Sequence, residues 1–398
     1  MTQAYVLVTE RGNLKTVYQL PDTDAPIPEG DRVVLDAVKE KEVLLHIHGG
    51  LVPYEAAIDI ARRLSRNGPP DEPSYPTDRA AVQLYLVWPA DVQKALDDIL
   101  KDSVLEKVVN VIVGWFSQQA SVPGARGGVK GDEEPLDDAT LEKYYENELK
   151  KTVPPAIRDD NALLTTPPSD TGERSFLGLS LAGIAVQATR EIFKRRNTNP
   201  DGYLFEAVVR EEVMNASGLG LAGRQIWTQI KTTATEHATG GFQTFLQQVY
   251  EACSNLTLVG HSTGANLITA LLPALNVPAP DPKKLRVVFL APAVTINTFN
   301  ANNHAFREHL QSPLRIYTMA TGVEIKDQIK WQQVTIYPGS LLQLVNFVFE
   351  PSPRTEHVLG LAHYALQQNF GGLVKIYTEH NCTSHGGFDD AQDILEQV

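Results

Sequence analysis

The stretch Leu258-Val-Gly-His-Ser-Thr-Gly-Ala265 decides how this chain is read. A short apolar strand, Asn255-Leu-Thr-Leu-Val, runs into Gly260-His261-Ser262-Thr263-Gly264, and a helix-like segment, Ala265 to Leu275, follows at once. Gly-x-Ser-x-Gly occurs by chance in many proteins. Between a strand and a helix it has the context that a nucleophile elbow requires. A turn that tight predicts a strained backbone at Ser262. Gly260 and Gly264 are needed because side chains there would collide with the neighbouring strand and helix. The serine hydroxyl is then expected at the end of a sheet, near the positive end of a helix dipole.

Working outward, Phe242 to Ala252 reads as a helix before that strand. Leu285-Arg-Val-Val-Phe-Leu, Leu314-Arg-Ile-Tyr-Thr-Met and Leu373-Val-Lys-Ile-Tyr-Thr read as three strands after it. The first ninety residues show the same rhythm. Tyr5-Val-Leu-Val-Thr, Arg32-Val-Val-Leu-Asp-Ala, Glu42-Val-Leu-Leu-His-Ile-His and Ala81-Val-Gln-Leu-Tyr-Leu-Val-Trp read as strands, with helical spacing from Glu55 to Leu64. Eight candidate strands, mostly separated by helices, predict an α/β protein with a mostly parallel eight-stranded sheet covered by helices on both faces. Residues 90–241 break the rhythm. Asp91 to Phe116, Leu141 to Lys151 and Phe176 to Arg196 look helical, and the stretches from Ser121 to Pro135 and from Asp159 to Thr171 have loop composition. The expected organisation is a core of residues 1–89 and 242–398 with a mainly helical cap insertion at 90–241.

Chemistry is expected at three further places. His46-Ile-His48-Gly49-Gly50-Leu51 ends an early strand, and such a turn exposes backbone N–H groups with little steric obstruction. Acyl transfer needs donors aimed at the oxyanion that develops in the transition state. Gly50 or Leu51 is expected to supply one and Thr263 the other. His46 and His48 alternate on a strand, so a metal site is the rival reading, but it would want further ligands close by. His385, in Thr383-Ser-His-Gly-Gly-Phe just beyond the last strand, is the expected general base, with His380 and His363 as fallbacks. The acid is expected after the strand that begins at Leu314, as Glu324 or Asp327. Glu324 is preferred as the nearer to the strand end, while Asp327 is the commoner residue type. Three weaker features complete the set. Phe176 to Val186, which leads to Lys194-Arg195-Arg196, reads as a buried helix rather than a lipid-surface helix. Trp88 with Pro89-Ala-Asp could line a pocket, although packing is the commoner role. Cys382 lies too close along the loop to pair usefully with His385.

Composition narrows the partners. Of 398 residues 42% are hydrophobic and the formal net charge is −13, so a packed core is expected and a nucleic-acid partner is not. No basic cluster with interleaved aromatics offsets that charge. Cys253 and Cys382 form no repeated ligand spacing, and Met1-Thr-Gln-Ala-Tyr-Val lacks the pattern of a secretory signal, so the default expectation is a cytoplasmic protein. Residues 252–280 and 331–349 carry no Asp, Glu, Lys or Arg, but Gly and Pro divide both, and a spanning helix is not expected.

The order of these pieces resembles the α/β-hydrolase superfamily: His-Gly-Gly after an early strand, Gly-His-Ser-Thr-Gly in the middle, then acid, then histidine. The resemblance covers residues 1–89 and about 242–398. Tyr337-Pro-Gly-Ser-Leu-Leu-Gln-Leu-Val and Ser384-His-Gly-Gly-Phe-Asp make it most similar to uncharacterised bacterial members with a large helical insertion before the elbow. It implies an α/β-hydrolase fold, a triad of Ser262, Glu324 or Asp327, and His385, and no metal or organic cofactor. The implied activity is a serine esterase on a small-molecule acyl ester. A lipase, a thioesterase or a catalytically silent binding protein on the same fold are the alternatives. Where that superfamily has an Asp immediately after the strand, this chain has none.

Overall fold

The computed structural model describes residues 3–23, 25–50, 52–65, 72–76, 82–88, 100, 103–120, 137–153, 179–195, 204–275, 284–303, 307–331, 334–350 and 356–398. The chain forms two compact units. One comprises Met1–Lys94, Thr228–Asp327 and Arg354–Val398; the other comprises Ala95–Trp227 and Gln328–Pro353. Residues 328–353, expected in the core, therefore belong to the second unit.

The first unit is built on an α/β sheet of eight strands. In chain order these are β1 (Gln3–Glu10), β2 (Asn13–Gln19), β3 (Glu42–Ile47), β4 (Val82–Val87), β5 (Asn255–His261), β6 (Leu285–Leu290), β7 (Leu314–Tyr317) and, last, β10 (Val374–Tyr377). β8 and β9 are the hairpin Ile329–Trp331 and Val334–Tyr337 of the second unit. Across the sheet the order is β10-β7-β6-β5-β3-β4-β1-β2. Every neighbouring pair is parallel except β1 with β2. Parallel strands covered on both faces should read as unbroken apolar runs, and all six residues of β4 are buried. From β3 the chain builds outward to β4 on one side. From β5 it builds outward to β6 and β7 on the other. The carboxyl ends of β3 and β5 therefore flank the point where strand order reverses, the place where open α/β sheets bind ligands.

Two sequence expectations change. Arg32–Ala37 is not a strand but lies in the helix Gly30–Val38, whose buried residues Gly30, Val34 and Val38 recur at the four-residue spacing of a helix face. The eighth strand is instead β2, joined to β1 by Arg11-Gly12. Both turn residues have positive φ, 49° and 73°, as a two-residue hairpin turn of matching twist demands. β2 lies at the sheet edge, and its exposed Asn13, Lys15 and Gln19 hide the strand pattern while blunting that edge.

Other expected helices form at Tyr54–Leu64, Gly241–Ala252 and Gly264–Leu271. The second unit contains Ser103–Ala120, Asp138–Thr152, Leu181–Arg195 and Phe205–Ala216. Leu181–Arg195 buries Ile184, Ala185, Ala188 and Ile192, the pattern of a packed helix rather than one lying on lipid. Arg195 at its end is itself buried, 2.5 Å from Glu211 and 3.1 Å from Glu212, with its guanidinium 3.8 Å from the centre of the Phe347 ring. Tyr337 of β9 donates to Glu211. The expected loops at 121–135 and 159–171, together with Pro89-Ala-Asp, lie outside the described residues. Among those described, no helix is long and apolar enough to cross a membrane.

Candidate active site

Ser262 follows β5 with φ +53°, a left-handed conformation that costs a non-glycine residue about 1–3 kcal/mol and persists only where its surroundings enforce it. Here they do. The Ser262 N–H donates to the Leu290 carbonyl at 2.8 Å, and the Ser262 carbonyl accepts from Ala293 N–H at 3.0 Å. The flanking glycines answer to contact. A Cβ on Gly264 would lie 2.3 Å from the Ile47 carbonyl oxygen, and one on Gly260 would lie 2.9 Å from the Ala265 nitrogen. The helix Gly264–Leu271 begins immediately, so Thr263 is its N-cap, beside first-turn N–H groups that have no intrahelical acceptor.

His385 opens the short 3₁₀ turn His385–Asp390 after β10, and its Nε2 lies 2.9 Å from Ser262 Oγ. With the hydroxyl as donor, Nε2 is the bare nitrogen and the ring proton sits on Nδ1. Burial and the nearby His261 push His385 down to about 3, against partial compensation from Asp389. The ring is therefore neutral at ordinary pH, with its Nε2 lone pair turned to the serine hydroxyl. The fallback bases are engaged elsewhere. His380 Nε2 donates to the Thr318 carbonyl at 3.0 Å, and His363 Nε2 lies 3.4 Å from Gln367 Nε2. Burial pushes the Cys382 thiol up to about 11, which keeps it from acting as a thiolate.

The His-Gly-Gly turn lies directly against the serine. A Cβ on Gly49 would stand 3.1 Å from Ser262 Cβ, and one on Gly50 would stand 2.8 Å from Thr263 Oγ1. Gly50 and Thr263, the residues expected to supply the two oxyanion donors, are thus neighbours; Leu51 lies outside the described residues. His48 fixes the turn. Its Nδ1–H donates to the Gly49 carbonyl at 2.7 Å, and its Nε2 accepts from the Trp88 backbone N–H at 3.5 Å. The Trp88 indole N–H donates to the His48 carbonyl at 3.2 Å. Trp88 is therefore a structural partner of the turn. Burial pushes His48 and His46 each down to about 4. His46 Nδ1 pairs with the Tyr75 hydroxyl at 2.9 Å, and among the described residues no group of three or more His, Cys, Asp or Glu could hold a metal ion.

The acid candidates behave differently from the expectation. Asp327 reaches His385, but its Oδ2 accepts the backbone N–H at 2.7 Å rather than the ring N–H. Burial raises the Asp327 carboxyl, with that hydrogen bond opposing it. Glu324 is buried at the end of the turn Thr321–Glu324. Neither bonds His385 Nδ1, which has no hydrogen-bond partner. Another buried carboxylate, Asp389, was missed in the sequence and is organised by the neighbouring histidines. Asp389 Oδ2 lies 2.9 Å from His261 Nδ1, and its Oδ1 lies 3.7 Å from His46 Nε2. His261 Nε2 lies 2.9 Å from the His385 carbonyl oxygen. Burial alone would raise Asp389, but His261, His46 and Arg63 outweigh it and hold it below the usual carboxylate range. Burial would likewise lower His261, but Asp389 outweighs it and the ring is raised. The only sequence hint was the position of Asp389 four residues past His385.

A strained serine at a strand end, a neutral histidine on its hydroxyl and a glycine turn beside the serine are an arrangement suited to nucleophilic attack with general-base assistance. No family model, no curated protein and no solved structure matches the chain.

Proposed function

We propose that this chain is a serine hydrolase of the α/β-hydrolase type, acting on a carboxylic ester or related acyl compound. The observation that carries the reading is the 2.9 Å contact from His385 Nε2 to the hydroxyl of a serine held at φ +53°. His385 takes the Ser262 proton as Oγ attacks the acyl carbon. The N–H groups of Thr263 and of Gly50 or Leu51 receive the oxyanion. Collapse of the tetrahedral species breaks the bond to the leaving oxygen, which takes the proton from His385 Nε2. Water, deprotonated by the same nitrogen, then attacks the acyl-enzyme and releases the carboxylic acid, restoring Ser262.

A carboxylate on His385 Nδ1 would stabilise the imidazolium formed in each half-reaction, and Glu324 and Asp327 are the candidates for that role. Asp389 already serves His261. Treatment with a fluorophosphonate probe tests the reading. Wild type should be labelled on Ser262, and Ser262→Ala should not. A folded wild type that stays unlabelled, or equal labelling of both, favours a binding protein on the same fold instead.

A further inference from the structure

The ring of His261 faces two oxygens that can only accept. Its Nδ1 meets the Asp389 carboxylate and its Nε2 meets the His385 backbone carbonyl, each at 2.9 Å. A neutral imidazole carries one N–H and cannot serve both; an imidazolium carries two and can. We propose that His261 is a positioning residue held as an imidazolium, whose two N–H groups clamp the His385 turn to the serine's own turn, so that the active arrangement exists only while His261 is protonated. This rests on the hydrolase reading above.

The surroundings fit a charge held on purpose. Asp389 supplies the counter-charge from the 3₁₀ turn, and Asp390 beside it adds to the pull on the proton. Arg63 of the helix Tyr54–Leu64 anchors that turn, with Nη1 donating to the Asp389 carbonyl at 2.6 Å and Nη2 lying 2.8 Å from Asp390 Oδ1. His46 and His48 on the β3 side are pushed to neutrality, as is His385 itself, so His261 is the only histidine of this group with a raised affinity for its proton. His261 also immediately precedes the nucleophile in sequence. Its bond to the His385 carbonyl therefore ties the residues that hold the base to the residues that hold the serine. Loss of one proton leaves a nitrogen lone pair against an oxygen lone pair, and the two turns separate.

A hydrolase that depends only on a neutral His385 keeps its rate as pH rises. The clamp predicts otherwise. The rate of Ser262 labelling, followed from about pH 5 to about pH 10, should fall above the ordinary histidine range by about tenfold per pH unit. Asp389→Asn should move that fall to lower pH, because it removes the charge that keeps His261 protonated. His261→Gln should label about a hundredfold more slowly near neutral pH, the scale of a mispositioned catalytic group, and should lose the alkaline fall altogether. Ring ¹⁵N chemical shifts of the wild type read the protonation state of His261 directly at neutral pH, with both nitrogens expected to carry protons. A neutral ring, or a rate that stays level to pH 10, overturns the clamp while leaving the hydrolase reading intact. An alkaline fall that neither substitution moves does the same. Wild type that never labels overturns both.

Discussion

Two buried charge clusters in this molecule, one in each unit, differ in what surrounds them. In the second unit, Arg195 sits between Glu211 and Glu212, and Tyr337 donates to Glu211. Burial raises both glutamates against the pull of Arg195. Among the described residues of that unit no backbone φ lies in the left-handed region. In the first unit, Asp389 and His261 pair beside a serine at φ +53° and a histidine whose Nδ1 has no hydrogen-bond partner. A buried ion network and a catalytic site both perturb pKa values, so perturbation alone does not mark function. What sets the first cluster apart is the left-handed serine with a histidine on its hydroxyl.

The largest effect is expected at the structural cluster. Arg195→Met leaves two buried carboxylates without their cation and should destabilise the protein by about 3–5 kcal/mol, read in a denaturant melt. Replacing Arg195, Glu211 and Glu212 together with apolar residues should recover most of that loss. If the triple variant is as unstable as the single, the cluster is more than an ion network. At the candidate site, Gly264→Ala drives a methyl into the Ile47 carbonyl and should cost about 2 kcal/mol, with labelling slowed in the molecules that remain folded.

Acidity should separate the two clusters by sign. His46, His48 and His385 have folded-state values of about 4, 4 and 3 against an ordinary 6.5. The unfolded chain therefore takes up these protons first, and stability around the site falls as pH drops from 6.5 towards 4. Glu211 and Glu212 are raised above an ordinary 4.5, so the folded chain keeps their protons longer and stability there falls as pH rises through that value. Hydrogen exchange, corrected for its intrinsic pH dependence, should show residues 42–50 and 255–265 losing protection on acidification while residues 205–216 do not. Parallel loss in both would erase the distinction. Ser262→Gly should relieve the left-handed strain and stabilise the fold by about 1 kcal/mol while abolishing labelling. The smallest change is expected from Asp327→Asn, since an amide oxygen can still accept the His385 N–H. Labelling should slow by no more than about threefold, because a neutral bond replaces a charge-assisted one. A collapse instead would make Asp327 the missing acid.

Local signals account for what the sequence disclosed. The elbow was legible because strand, turn and helix are contiguous and the glycines answer to contacts a few residues away. The histidine was legible because it follows a strand. Arg32–Ala37 misled because β-branched Val33 and Val34 suit a strand locally, while Gly30 and Val38, which complete the helix face, lie outside that window. Asp389 was hidden for a different reason. Its partner His261 is 128 residues away, and no spacing rule joins a 3₁₀ turn to the interior of a Gly-x-Ser-x-Gly motif. Asp327 was legible as a candidate from its place after a strand, but its contact was not, because that contact is to the His385 backbone amide, a group that every residue carries.

The hydrogen bonds between Trp88 and His48 also give this protein an optical handle. The chain has four tryptophans, and only Trp88 belongs to the first unit; Trp115, Trp227 and Trp331 belong to the second. Its indole is 6.4 Å from the His48 ring, with its N–H on the His48 carbonyl beside the glycine turn. With the other three replaced by phenylalanine, fluorescence would report from a single chromophore hydrogen-bonded to the turn that faces the serine. The proposed acyl transfer at Ser262 could then be followed by emission, with no label attached.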